Sequence, residues 1–312
     1  MKNVKQRVLL RKQHFSWSKL KRDLPLYIML LLPMIYIIIF KYAPMAGASI
    51  AFKKYNIFKG IRESPWIGFD HFVEAFQAGE FKTALVNTLI LNLGGMVINF
   101  PFPIILAILL NEMTHEKLKK VTQTVLYLPH FLSMVIIAGI VYEVFGAKGI
   151  INNMLGFFGA DAINFMGNTG RWRAIYWGSG VWSGAGYGMI VYLAAMAGIN
   201  TELYDSAYID GAGRWKRIWH VTLPQIRGTI VTMLIMNVGK MLSISFERPY
   251  LLSNVLVKDA SSVISTYVYS VGLQAGRYDF ATAVGLFQSV VSLVMVLTAN
   301  KVARKLGEEG IM

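Results

Sequence analysis

The sequence predicts an all-α integral membrane protein with six transmembrane helices and both termini in the cytoplasm. Of its 312 residues, 55% are hydrophobic and only 15% charged, a balance that a soluble domain of this length does not show. Several stretches of about twenty residues have few or no charges, the length a helix needs to cross a hydrocarbon core about 30 Å thick. The basic residues are also unevenly placed. With the N-terminus inside, the cytoplasmic segments, counting Arg227 at the start of the fifth span with them, hold 18 of the 31 Lys and Arg residues, as expected when positive charge is retained on that side.

The elements follow in order. Residues 1–23 form a basic arm, with Lys2, Lys5, Arg7, Arg11, Lys12, Lys19, Lys21 and Arg22 against the single acid Asp23. The first span, 24–43, has Pro25 in its opening turn, where a missing N–H costs little. A cleaved signal peptide is the competing reading, with Ala46-Gly47-Ala48 resembling a cleavage site, but the apolar run is long and more spans follow. Residues 44–82 are external. The second span, 84–110, contains Pro101 and Pro103, which predict a kink. A charged loop at 112–120 precedes the third span, 121–145, with Pro129 and Glu143 inside it. After an external loop, the fourth span, 174–199, places Gly180, Gly184 and Gly188 along one face for close helix approach. A polar segment, 200–224, separates it from the fifth span, 226–245, which contains Lys240. An external loop then leads to the sixth span, 280–299, and a basic tail, 300–312.

Composition and motifs exclude several classes of function. The net charge of +14 is explained by the cytoplasmic bias of Lys and Arg, without a pattern for nucleic acid. No cysteine is present, which removes disulfides, thiolate metal sites and cysteine nucleophiles. The five histidines lack metal-ligand spacing, no phosphate-cradling GxxxxGK[ST] occurs, and no catalytic constellation is evident, so no catalytic or metal-ligating residue is assigned.

The segment from Asn200 to Pro224 is unusual for a loop between spans. Asn200 or Thr201 can cap a short helix, in which Leu203 and Ala207, and Tyr204 and Tyr208, recur at i, i+4. Asp210 would lie at its C-terminus, where the helix dipole disfavours an acid. Its expected role is to accept hydrogen bonds from the backbone beyond it, while Gly211 supplies a tight turn. A second helix, Arg214 to Leu223, would carry Trp215, Ile218, Trp219 and Thr222 on one face, with both tryptophans bracing it against the membrane body. Pro224 restarts the chain into the fifth span.

The run Asp205-Ser206-Ala207, Asp210-Gly211-Ala212, then an aromatic-rich helix and Leu223-Pro224, resembles the EAA loop of ABC-importer permeases. The family's Glu-Ala-Ala maps onto Asp205-Ser206-Ala207 and its glycine onto Gly211; Asp for Glu keeps the charge but shortens its reach. Phe40 to Gly47, Ala51-Phe52-Lys53, Ser64 to Phe69, Thr266 to Tyr269 and Gly285 to Val290 are similar to the Lpl-type permeases of oligosaccharide and polysaccharide-fragment importers. The resemblance implies a type I importer permease fold. It also implies that Glu202, Tyr204, Asp205, Ser206, Ala207, Ile209, Asp210, Gly211 and Ala212 couple the chain to an ATPase. The implied partners are a second homologous permease, two cytoplasmic ABC ATPases, an extracytoplasmic sugar-binding protein and an oligosaccharide substrate within the lipid bilayer. ATP and Mg would be bound by the ATPase partners, and no cofactor by this chain.

Within the spans, Asn87, Asn92, Asn99, Glu143, Trp182, Asn237, Lys240 and Gln288 are candidates for the substrate pathway. Each has a bland counterpart: interhelical hydrogen bonding for the amides, interfacial placement for Trp182, and a span-end position or snorkelling for Glu143 and Lys240. Two other classes stay open from the residues alone. One is an ion- or proton-coupled secondary transporter with Glu143 and Lys240 as its charge relay. The other is a membrane enzyme acting on lipid-linked sugar.

Overall fold

A computed structural model describes residues 17–307; the arm residues Lys2 to Lys12 and the end of the tail lie outside the described residues. The chain divides into two compact units, up to Ser49 and from Ile50 onward. In the first, α1 (Trp17–Ile37) passes into a π turn at Ile38–Tyr42 and then a 3₁₀ segment, Ala43–Phe52. Its helix starts seven residues before the expected span, so Pro25 and Pro33 are interior. The Lys, Leu and Arg residues ahead of the apolar run are good helix formers and extend the helix backward.

In the second unit, α2 (Gly60–Glu63) and α3 (Asp70–Gln77) shape the first outer segment. Here Phe52 stacks on Trp66 with ring centroids 5.5 Å apart, and Phe69 and Phe72 each approach Phe52 to within 5.5 Å. Helices α4 (Gly79–Asn99) and α5 (Pro101–Asn111) make one apolar span of 33 residues. The helix is interrupted at Phe100, which keeps helical dihedrals, and Pro101 opens the second part.

The third span departs from expectation. Residues 121–145 are divided between α6 (Glu116–Tyr127) and α7 (Met134–Phe145) by a 3₁₀ turn, Leu128–Phe131. Pro129 lacks a donor for the helix ladder. Ser133 then caps α7, its hydroxyl accepting from the Ile136 N–H at 3.4 Å. The apolar crossing segment is α7 with α8 (Ile150–Phe157).

Helix α9 (Thr169–Ala197) is capped by Asn168, whose side chain accepts from Arg171 N–H at 3.1 Å. It packs against α4, α5, α6 and α7. Trp172 on α9 is fully buried and donates its indole N–H to Leu252 O at 2.7 Å. Gly186 permits a close approach to α6, since a Cβ there would stand 1.8 Å from Leu126 O. The expected Gly180–Gly184–Gly188 stripe is therefore corrected: Gly184 has open space, whereas Gly180 and Gly188 face Asn99 with Arg248, and Pro103. Steps of four residues advance about 40° beyond a full turn, so the three glycines drift across a broad face and here meet different neighbours or none.

The polar segment contains α10 (Thr201–Ile209), α11 (Arg214–Arg217), a π turn (Ile218–Thr222) and α12 (Leu223–Gln225). Helix α13 (Arg227–Gly239) follows at a 61° bend. The fifth span ends at Gly239, short of the expected 245, because Lys240 to Ser243 form successive turns. Beyond it come α14 (Glu247–Leu252), α15 (Lys258–Ser261), α16 (Ile264–Val268) and a π turn, Tyr269–Gln274. Helix α17 (Tyr278–Lys305) then runs into the expected tail; Arg304 and Lys305 occupy its last turn, where the helix dipole favours cations. Among the described residues five helices are long and apolar enough to cross a membrane, or six with the bent pair α11–α12 and α13 as one span.

Candidate functional site: coupling element and polar cavity

The polar segment presents a built surface. Asn200 caps α10 by accepting from Glu202 N–H at 3.0 Å. The helix closes on backbone groups alone: Ala212 N–H donates to Ala207 O at 2.8 Å and Gly211 N–H to Tyr208 O at 3.0 Å, with Gly211 at φ +74°. This is the reciprocal pairing of a Schellman closure. It corrects the role expected of Asp210, whose carboxylate makes no hydrogen bond to the turn; the two main-chain bonds already satisfy the donors it would have accepted from.

Only Tyr204 and Ala207 of α10 are partly buried, and Tyr204 Oη lies 2.9 Å from Thr222 Oγ1 in the π turn. Glu202, Asp205, Ser206, Tyr208 and Ile209 are exposed, Ile209 to 84%. The Asp205 carboxylate has no basic partner within 4 Å among the described residues. The Ser206 hydroxyl instead donates to Glu202 O at 2.8 Å, so it offers little to a partner.

The second half of the segment differs from its expected face. Ile218 and Thr222 are buried, whereas Trp215 and Trp219 are 72% and 65% exposed. A π turn accommodates one more residue than an α turn, which rotates the tryptophans away from Ile218 and Thr222. They do not brace the helix against the bundle. That role falls to Arg214, whose Nε pairs with Glu112 at 3.1 Å and ties the segment to the loop after α5.

Four of the candidate pathway residues meet in one cavity of about 350 Å³: Asn92, Asn99, Asn237 and Lys240, with Tyr187 and Tyr192 across from them. Asn92 donates to Met241 O at 2.6 Å, fixing the turn that presents Lys240. Asn237 donates to Met233 O. Asn99 Oδ1 is buried without a hydrogen-bond partner. No carboxylate lies within 4 Å of Lys240 among the described residues.

The other four candidates lie elsewhere. Asn87 is buried and donates to Asp259 O and Ser262 O, so it fastens the outer segment to α4. Gln288 donates to Leu242 O at 2.7 Å, a tie between α17 and the turn after α13. Trp182 lines apolar grooves with Ile140, Val144 and Phe102, as a large amphipathic ring commonly does in a membrane. Glu143 is exposed, two residues before the end of α7, and does not line the cavity of Lys240. The charge relay that a secondary transporter would need is not assembled.

Sequence reasoning missed Arg248, which it placed in an outer loop. Its Nη2 lies 3.3 Å from Ser183 Oγ, its guanidinium lies 5.5 Å from the Tyr176 ring centre, and its Nε is buried without a partner. A Cβ on Gly180 would stand 2.6 Å from Asn99 Nδ2 and 2.7 Å from Arg248 Nη1. Gly180 thus makes the space in which a second cation borders Asn99. A lone arginine within the short stretch Glu247–Leu252 gives no periodic signal that it reaches inward.

Apolar helices long enough to cross a membrane, an exposed helix bearing acidic residues between two of them, and a polar, cation-bearing cavity are the features of a membrane transport subunit. Residues 99–307 match the family of binding-protein-dependent transport system inner membrane components. The chain is 42% identical over 294 residues to the polygalacturonan/rhamnogalacturonan transport system permease protein YteP of Bacillus subtilis (strain 168), covering 94% of this chain and 92% of that one. It is 41% identical over 298 residues to Protein LplB of the same organism, covering 95% and 94%. A bacterial ABC transporter involved in the import of the acidic polysaccharide alginate has a chain of the same fold, with TM-score 0.85, 45% identity and coverage of 93% and 98%. The chain belongs to the family of binding-protein-dependent transport system inner membrane components, as a multi-pass permease subunit of an ABC importer, and is not itself an enzyme.

Proposed function

We propose that this permease carries acidic oligosaccharides, delivered by an extracytoplasmic binding protein, past Lys240 and Arg248. The observation that carries the reading is the polar cavity itself, in which Lys240 has no acidic partner and Asn99 Oδ1 no donor. A cation at membrane depth costs on the order of 2.5–3.5 kcal/mol on insertion scales, and a passing carboxylate offsets that cost. The cargo named for two of the similar proteins, polygalacturonan/rhamnogalacturonan and alginate, is of the same chemistry.

In this reading both termini are cytoplasmic. A second homologous permease completes the pathway, and two ABC ATPases bind ATP and Mg. Helix α10 inserts into an ATPase with Asp205 and Glu202 toward basic residues and Ile209 at its tip. Closure of the ATPases pulls α10, and the Tyr204–Thr222 contact passes the motion to the bend before α13. The two halves of the cavity then open to alternate sides.

The test is uptake by the full complex in proteoliposomes with its binding protein. Lys240→Gln is expected to lower uptake of an oligogalacturonate about tenfold, the size of one charged hydrogen bond, and to leave a neutral galacto-oligosaccharide unchanged. Equal loss for both sugars would show that Lys240 does not select charge.

A further inference from the structure

The segment that joins α13 to α17, which the topology places on the outer side, encloses a second polar cavity, of about 330 Å³. Its volume falls at the lower end of ligand pockets, about 300–1,000 Å³. Two of its walls are aromatic. The Phe246 ring packs on Tyr250 at 4.6 Å and on Tyr269 at 4.7 Å, and the two tyrosine rings meet at 71° with centroids 5.7 Å apart. The rings are thereby held in place before any ligand arrives.

The polar groups around this corner are unused. The hydroxyls of Tyr250, Tyr269 and Ser262, the Gln274 amide and the Lys258 ammonium all border the cavity, and none makes a side-chain hydrogen bond within the described chain. The floor beneath them is fixed: Ser253 Oγ lies 2.7 Å from Ser261 Oγ, and Asn87 holds the Asp259 and Ser262 carbonyls. The wall that carries Tyr269 and Gln274 is a π turn, a local form often found at functional sites. No acidic side chain lines the space. The same short helix, α14, sends Tyr250 into this cavity and Arg248 toward Asn99.

We infer that this corner is an entry subsite for a uronate-bearing sugar, which leaves the binding protein here before passing Arg248 to the inner cavity. A pyranose ring has one apolar face to lie on a tyrosine and a rim of hydroxyls that match Ser262, Gln274 and the phenols. Its carboxylate pairs with Lys258. The choice of ligand rests on the importer reading above, while the site is tested separately from transport.

The experiment uses the assembled complex in nanodiscs without binding protein, and digalacturonate as probe, read by saturation-transfer NMR. Wild type should give ring-proton signals that galactobiose does not displace. Tyr250→Ala should abolish them, Tyr250→Phe should keep them, and Lys258→Gln should weaken binding about tenfold, one charged hydrogen bond. Signals that are absent from wild type, or unchanged in Tyr250→Ala and Lys258→Gln, overturn the subsite while leaving transport as measured in proteoliposomes untouched. A crosslinker at Lys258 that captures a loop of the binding protein, undisturbed by excess digalacturonate, assigns the cavity to that protein and likewise overturns the proposal. Binding that persists in a complex that transports no uronate instead defeats the cargo reading alone.

Discussion

Two acidic side chains, Asp205 on α10 and Glu74 on the outer segment, stand in opposite circumstances, one unpaired among the described residues and one held by Arg277. Asp205 is exposed and has no basic partner among the described residues; under the proposed function it would gain one only when the ATPase docks. Removing one partner of a desolvated charge pair costs roughly 2–5 kcal/mol. Asp205→Ala is expected to cut uptake and copurification of the ATPase at least tenfold, and Asp205→Glu to retain both, measured on tagged complexes. On the outer side, Arg277 forms a two-pronged pair with Glu74, at 2.5 and 2.7 Å. The Arg277 hydrogen bonds, with smaller help from His71, hold the Glu74 carboxyl below its ordinary 4.5. A carboxyl with a lowered folded-state value stabilises the fold above about pH 4.5, and that contribution is lost as pH falls through the lowered value. Glu74 is 45% exposed, so screening reduces the contribution to at most ~1 kcal/mol. The melting temperature of Glu74→Gln should trail wild type at pH 7, and the gap should begin to narrow only as pH falls below about 4.5.

At the level of elements, helix contacts and turn types set what the sequence could and could not foretell. The contact of α9 with the end of α6 leaves no room for a methyl at Gly186, whereas Gly184 is open. Gly186→Ala is expected to destabilise the detergent-solubilised protein by about 1–3 kcal/mol, as overpacking does, and Gly184→Ala to be neutral in the same melting assay. Most crossing segments were legible because charge-free length is a strong signal. The division of the third span was less so: Pro129 marked it, but the Ser133 cap that starts α7 reads as an ordinary polar residue. The π turns at Ile218–Thr222 and Tyr269–Gln274 leave no mark in hydrophobic periodicity, so the tryptophans of the coupling segment were assigned to the wrong face. Conversely, the Phe52, Trp66 and Phe69 of the quoted motifs proved to be one aromatic cluster, which explains why those residue types stand together.

For the whole molecule, assembly is the decisive property. A tagged copy purified in mild detergent should bring a second permease and an ATPase, identified by mass spectrometry; a chain that transports alone would contradict the importer reading. The coupling segment was legible as a motif because all its residues are neighbours in sequence. The inner cavity was legible only in parts, since Asn92 and Asn99 on α4 meet Asn237 and Lys240 only after folding, and the sequence gives no rule for which amide faces inward. The π turn between the docking helix and α13 has one last consequence. Its surplus residue is absorbed as a bulge, so the faces before Ile218 and after Thr222 keep nearly the phase of an α-helix one residue shorter. Deleting the exposed His220 would therefore leave those faces almost aligned, whereas inserting a further residue beside it would turn them apart by about 100°, the advance of one α-helical residue. In the importer reading the shortened chain should still transport and the lengthened one should fold but not transport, as a gear remains intact when its teeth are indexed one notch away.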